Sequence, residues 1–157
     1  METNSPLRLD QFSEIVIVSN RGPVTISKNA EGELVFKRGS GGLVTALTGL
    51  AHFKKLTWVA CAMSEEDAHW KQGEICLEND DCNLNVYFIN PSAEAYEGYY
   101  NQISNPLLWF LQHSMWDVPR SPVIDQQTWK AWDTGYQVVN RQFAKEISSL
   151  VKKMNKP

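Results

Sequence analysis

Arg21 closes a short β-branched run, "EIVIVSN" at 14–20, and a stretch of bare backbone, Gly39-Ser40-Gly41-Gly42, precedes an apolar run that starts at Leu43. Both features suit an anion. Unpaired N–H groups and the dipole at a helix start favour negative charge. Glycine lets an anion approach with no Cβ in the way. An arginine at a neighbouring strand end adds a forked, charge-assisted contact. In open α/β sheets ligands bind beyond the carboxyl ends of the strands, where Arg21 falls. The same residues also fit a hairpin return with turn glycines and a solvated Arg21. The stretch is no Walker loop, because no Gly-Lys-Ser/Thr follows, and no dinucleotide fingerprint, because G-x-G-x-x-G is absent.

A second constellation is "EAYEGYYNQISNPLLWFLQH" at 94–113, which crowds Tyr99, Tyr100, Asn101, Asn105, Trp109 and His113 into one helical stretch. Tyr100 and Trp109 are nine apart, and a helix interrupted near Pro106 lets them face one cleft. Phenol and indole are apolar rings with a polar donor, which suits the faces and edges of a sugar. The same stripe also fits an aromatic core with its polar tips satisfied at the margin. His113 has a side chain suited to proton transfer but stands alone among apolar residues, a setting that is more often structural. Glu65, Glu66 and Asp67 read as helix-start acids rather than a metal site, and Asp80-Asp81 as a solvated turn. No serine–histidine–acid set emerges from spacing.

The totals bound these readings. The 157 residues suffice for one domain with a proper core, at 43% hydrophobic and 21% charged composition. A net charge of -3 gives no general affinity for nucleic acid or an anionic membrane, so any anion is bound locally. Cys61, Cys76 and Cys82 are odd in number and fit no zinc spacing, and Cys61 in "TWVACAM" reads as a reduced core residue. The start "METNSPLRLD" is polar and carries acids, unlike a secretory signal. No apolar run approaches the ~20 residues of a membrane span. These features predict a soluble, cytoplasmic protein.

The elements that must position the two constellations follow from periodicity. "EIVIVSN" and "LTWVACAM" (56–63) are apolar on both faces, as buried parallel strands are, and "NLNVYFIN" (83–90) is a third strand. "GPVTISKNAEGELVFKRG" reads as a hairpin turning at "NAEG", with Val24, Ile26, Leu34 and Phe36 alternating with polar residues. Gly42 to Phe53 reads as a helix, and Ser64 as the N-cap of a short one. Residues 92–113 are mostly helical, with Pro106 in the first turn of a new helix. From Gln126 on, Trp129, Trp132, Tyr136, Val139, Phe143, Ile147 and Leu150 recur at 3, 4, 3, 4, 4 and 3, one continuous apolar stripe. Strands alternating with helices predict an α/β layered domain with a mostly parallel sheet. Three core strands and a closing helix read as the first part of a larger doubly wound domain.

In order, "IVIVSNRGPV", "RGSGGLVTAL", "TWVACAMSEED", "AYEGYYNQISNPLLWFLQH" and "AWDTGYQVVNRQFAKEI" resemble the N-terminal part of the trehalose-6-phosphate synthase family, over roughly residues 14–150. The resemblance implies a Rossmann-like domain with a β-hairpin insertion, residues 14–157 after a flexible leader at 1–13, as the acceptor-binding part of a two-domain glycosyltransferase fold. It implies transfer of glucose from a nucleotide-glucose, usually UDP-glucose, to glucose-6-phosphate with retention, and neither metal nor cofactor. Matched to the family motifs, Arg21 contacts the acceptor phosphate, and Tyr100 and Trp109 contact the acceptor. Gly41 and Gly42 lie near the donor's diphosphate and the transferred sugar.

The chain also departs from that family. It stops before the "HDYHL"-type segment and lacks the second, donor-binding domain with its cations. Those cations stabilise charge on the leaving diphosphate. The expectation is therefore that no catalytic residue lies in these 157 residues, and that they bind sugar phosphate without turnover, as an excised domain or half of a split protein. Its partner would be the missing C-terminal domain, and an unpaired sheet edge carries the hazard of homo-oligomers without deciding it. A non-catalytic module that senses sugar phosphate or supports a partner subunit is the alternative. Gly22 stands where many family members have leucine. That spelling resembles a subgroup including relatives that couple cyclitol phosphates without a glycosidic bond.

Overall fold

The computed structural model describes residues 14–39, 42–48, 55–70, 73–75, 84–115 and 123–154. They fall into two compact units, Met1–Phe88 and Ile89–Pro157. The first unit is built on the two apolar runs. Strand β1 (Glu14–Val18) pairs in parallel with β4 (Lys55–Cys61), Glu14 opposite Lys55 through Val18 opposite Val59. Beyond β4 lies β6 (Leu84–Ile89), and then a short β5 (Gly73–Ile75) antiparallel to β6, giving the order β1-β4-β6-β5. The three longer strands form the parallel sheet that strand–helix alternation predicts. β5 is too short for any periodicity to reveal.

Strand β4 is buried from Leu56 to Cys61, because both its faces are apolar. Trp58, fully buried, sits in a core with Ile17, Val24, Val44, Leu84 and Val86. Cys61 is a free thiol in this sheet, and burial pushes its pKa up to about 12. This is the reduced core cysteine expected from "TWVACAM". Cys76, Cys82 and the Asp80-Asp81 pair lie outside the described residues.

The hairpin forms as predicted from β2 (Val24–Lys28) and β3 (Leu34–Arg38). Asn29 makes the turn. Its Oδ1 accepts from the N–H groups of Glu31 (3.1 Å) and Glu33 (2.8 Å), and Gly32 takes a left-handed φ of 83°. Val24 and Ile26 face the core, but β3 is exposed along its whole length. Leu34 and Phe36, opposite Lys28 and Ile26 in the register, thus lie on the face of Val24 and Ile26 but outside its buried core. Phe36 instead sets its ring edge-on to Trp70, 5.4 Å between centroids. Helix α1 (Gly42–Thr48) follows; the predicted continuation to Phe53 lies outside the described residues.

Ser64 caps helix α2 (Glu65–His69) as expected. The acid at its third position does more than complement the helix dipole. Asp67 is 1% exposed. Its Oδ1 accepts from Ile26 N–H at 2.8 Å, and its Oδ2 from Met63 N–H at 2.9 Å and Ser64 N–H at 3.1 Å. Ser64 Oγ in turn donates to Ile26 C=O at 2.8 Å. One capping box thus satisfies both backbone groups of Ile26, as a neighbouring strand would.

The second unit holds two long helical runs. Ser92 caps α3 (Ala93–Tyr96), which passes without a break into wide turns with i→i+5 bonding (Glu97–Leu108) and then α4 (Trp109–Gln112). The expected new helix at Pro106 is absent; the proline lies inside the wide-turn stretch. Proline lacks an N–H and crowds the carbonyl four residues back, and i→i+5 spacing loosens that contact. Asp125 caps α5 (Gln126–Ala131), which continues through a second wide turn (Trp132–Tyr136) into α6 (Gln137–Met154). The apolar stripe buries Val139, Phe143 and Leu150, whereas Trp129 at its start is 61% exposed. No helix among the described residues is long and apolar enough to cross a membrane.

Candidate functional site

The site is built at the end of β1. Ser19 N–H donates to Val59 C=O, and Cys61 N–H to Asn20 C=O, both at 3.1 Å, so the ladder with β4 runs two residues past the strand. Buried Trp58 donates its indole N–H to Ser19 Oγ at 2.8 Å, and Ser19 Oγ donates to Arg21 C=O at 2.6 Å. This relay turns the chain at Arg21 and leaves the guanidinium at the surface, where the sequence reading placed it.

Gly22 follows, buried. A Cβ there would lie 3.2 Å from the Phe88 ring and 3.3 Å from Ala60 Cβ. The glycine is thus packed into the sheet end, and a leucine at this position would require the ring to move. At the far end of the hairpin, Gly39 N–H donates to Pro23 C=O at 2.7 Å, and a Cβ on Gly39 would meet Gly22 O at 2.8 Å. The missing side chain lets the end of β3 close on the Arg21-Gly22-Pro23 turn.

A cleft of about 360 Å³ results, lined by Arg21, Gly22, Thr25, Lys37, Arg38, Gly39 and Met63. Every charged residue in that lining is a cation. A cleft of about 370 Å³ against α2 differs: it mixes Lys28 and His69 with Glu65 and Glu66, and Lys28 Nζ lies 3.7 Å from Glu66 Oε1. Arg21 was legible from its place at a strand end. Lys37 and Arg38 were not, because two charges on a strand rim ordinarily read as solvated.

Of the two assigned glycines, Gly41 lies outside the described residues. Gly42 opens α1, is exposed, and has nothing within 4 Å of where a Cβ would stand. Packing within the described residues therefore does not demand a glycine there, and the backbone is open to approach.

Tyr100 and Trp109 belong to the second unit. In an α-helix nine residues make two and a half turns and put two side chains on opposite faces. With i→i+5 bonding a turn takes more than four residues, and nine is close to two turns. The wide turns between Glu97 and Leu108 thus bring the two rings toward one side, the task the sequence reading gave to a break at Pro106. Tyr100 is half-buried and stacks on Tyr96, 5.8 Å between centroids. Trp109 is 44% exposed and stacks on His113 at 4.3 Å. His113 Nδ1 lies 2.7 Å from Trp109 C=O, so that nitrogen carries a proton and serves the helix end. Other rings of the same stretch pack within the unit: Tyr99 lies tilted against Tyr136 at 5.9 Å, and Tyr136 stacks on Trp132 at 4.6 Å. Among the described residues no three His, Cys, Asp or Glu side chains converge on a common point.

Comparison with known proteins bears on this geometry. A family model described as glycosyltransferase family 20 matches residues 13–155. An alpha,alpha-trehalose-phosphate synthase (UDP-forming) from Yarrowia lipolytica is 35% identical over 141 residues, 88% of this chain and 28% of the relative. The enzyme of the same name from Zygosaccharomyces rouxii is 38% identical over 136 residues, 85% of this chain and 26% of the relative. A solved trehalose-6-phosphate synthase, OtsA, superposes with a TM-score of 0.58 at 26% identity, over 88% of this chain and 26% of that one. The chain therefore spans about a quarter of the length of the relatives it matches.

Proposed function

The chain belongs to glycosyltransferase family 20, and from that premise we propose that it is the acceptor side of a retaining hexosyltransferase that moves glucose from a nucleotide-glucose to glucose-6-phosphate. The cleft of Arg21 carries this reading, because its charged lining is wholly cationic. Arg21 holds the acceptor phosphate with a planar fork that matches two phosphate oxygens. Tyr100 and Trp109 bear on the acceptor sugar with ring faces and polar tips. Gly42, and Gly41 beside it, let the donor's diphosphate and its glucose come close to backbone. UDP-glucose is the donor that the "UDP-forming" names of the two yeast relatives favour.

The 157 residues alone bind glucose-6-phosphate without turnover. Stabilising a leaving diphosphate needs preorganised cations on the donor side, and this stretch covers only about a quarter of its relatives' length. Isothermal titration with glucose-6-phosphate tests the acceptor reading. Saturable binding by the wild type, lost in Arg21→Glu, is expected. Affinity unchanged by that substitution overturns the role of Arg21. A steady-state assay with UDP-glucose and glucose-6-phosphate tests the second point, and turnover near that of an intact enzyme overturns it.

A further inference from the structure

The cleft at Arg21 holds more positive charge than one strand-end arginine explains. We propose that Lys37, on the exposed strand of the hairpin, is a specificity residue that acts with Arg21 to select the doubly charged form of a phosphate monoester. The inference rests on the sugar-phosphate reading above.

The hairpin register puts Lys37 opposite Thr25. Directly opposite residues of an antiparallel pair share a face, so the ammonium stem and the Thr25 hydroxyl rise together beside the cleft that both line with Arg21. β3 is exposed throughout, and Lys37 covers no core. Among the described residues neither Arg21 nor Lys37 has a carboxylate partner, while Lys28, at the opposite end of β2, is paired with Glu66. Like charges gathered without an acid repel each other, and an entering anion relieves that repulsion. The gathering depends on Gly39. Its N–H bond to Pro23 C=O and its missing side chain draw the end of β3 onto the Arg21 turn.

Two cations of different shape suit a dianion. The guanidinium fork satisfies one edge with two parallel bonds, and a compact ammonium answers the second charge. A phosphate monoester gains that second charge near pH 6, whereas a sulfate ester stays singly charged. Affinity for a phosphate ester should therefore climb through pH 6, and affinity for the sulfate ester should not.

The test titrates the chain with glucose-6-phosphate, glucose-6-sulfate and inorganic phosphate at pH 5.5 and 7.5. Wild type, Lys37→Gln, Lys37→Arg and Arg21→Glu are compared, with thermal unfolding as a check on each fold. Lys37→Gln is expected to weaken glucose-6-phosphate about fivefold, the order of one exposed charge-assisted contact. It should also narrow the gap to the sulfate ester and flatten the pH dependence, and Lys37→Arg should restore most of both. If Lys37→Gln equals wild type for both phosphates while Arg21→Glu binds neither, the inference falls and the acceptor reading stands. If phosphate binding depends on Lys37 but glucose-6-phosphate binds no tighter than inorganic phosphate, the cation pair stands and the sugar-phosphate reading falls. If the wild type binds neither phosphate, both fall.

Discussion

Gly135 lies so close to Gly98 that a Cβ on Gly135 would stand 2.7 Å from Gly98 Cα and 2.6 Å from Tyr99 N. The two helical runs of the second unit touch backbone to backbone there, each within or beside its wide-turn stretch. Gly135→Ala should gain about 1 kcal/mol from helix propensity. Overpacking opposes it with about 1–3 kcal/mol, more where backbone is the obstacle. The clash wins, and the melting temperature should fall by several degrees. Gly98→Ala, with its nearest contacts at 3.2 Å, should cost less. An unchanged or raised midpoint for Gly135→Ala in thermal unfolding would show that the helices do not cross here.

Asp67 offers a second test. Its carboxylate accepts from three backbone N–H groups, one of them Ile26 on the hairpin. Asp67→Ala strips the buried Ile26 N–H of this acceptor and removes the carboxylate half of the capping box that Ser64 heads, at about 2–4 kcal/mol. Asp67→Asn keeps one acceptor oxygen but turns an NH₂ toward a donor, so it should rescue little. Hydrogen exchange at Ile26 should accelerate more than at Trp58 on β4. Equal protection at Ile26 in wild type and variant would rule out this anchoring of the hairpin.

These two contacts mark the limits of what the sequence discloses. The strands "EIVIVSN", "LTWVACAM" and "NLNVYFIN", the Asn29 turn and the Ser64 cap were legible because each depends on neighbouring residues. Asp67 reads locally as a helix-start acid; its bond to a residue 41 positions away has no local signal. Pro106 reads as a helix start for the same reason, since i→i+5 turns are not a period that apolar spacing reveals. At the site, Arg21 was legible by position. Lys37 needed the register that sets it beside Thr25, and the closure of Gly39 on Pro23.

The Cys61 thiol predicts behaviour in alkali. Burial raises its pKa from 9.0 to about 12. A group whose folded pKa is raised contributes stability that is intact below the unfolded value and is lost as pH climbs toward the folded one. Stability should thus hold below pH 9 and decline between pH 9 and 12, the decline being smaller in Cys61→Ala. At pH 8 a thiol reagent should reach Cys61 only when the chain unfolds. Prompt labelling of Cys61 in the native protein would mean that β4 is open to solvent.

Trp109 and Trp58 should part company on substitution. Trp58 is fully buried and fastens Ser19; Trp58→Ala should cost about 3–5 kcal/mol. Trp109 is 44% exposed and gives up mainly its stacking on His113, so Trp109→Ala should cost about 1 kcal/mol or less in denaturant unfolding. Its effect should appear instead in titration with glucose-6-phosphate, as a several-fold weaker affinity that Trp109→Phe partly recovers through the ring face. Tyr100→Phe should weaken binding while keeping the stack on Tyr96, because it removes only the hydroxyl. If Trp109→Ala lowers stability as much as Trp58→Ala and leaves affinity intact, the exposed indole is a packing residue and the acceptor sugar is held elsewhere.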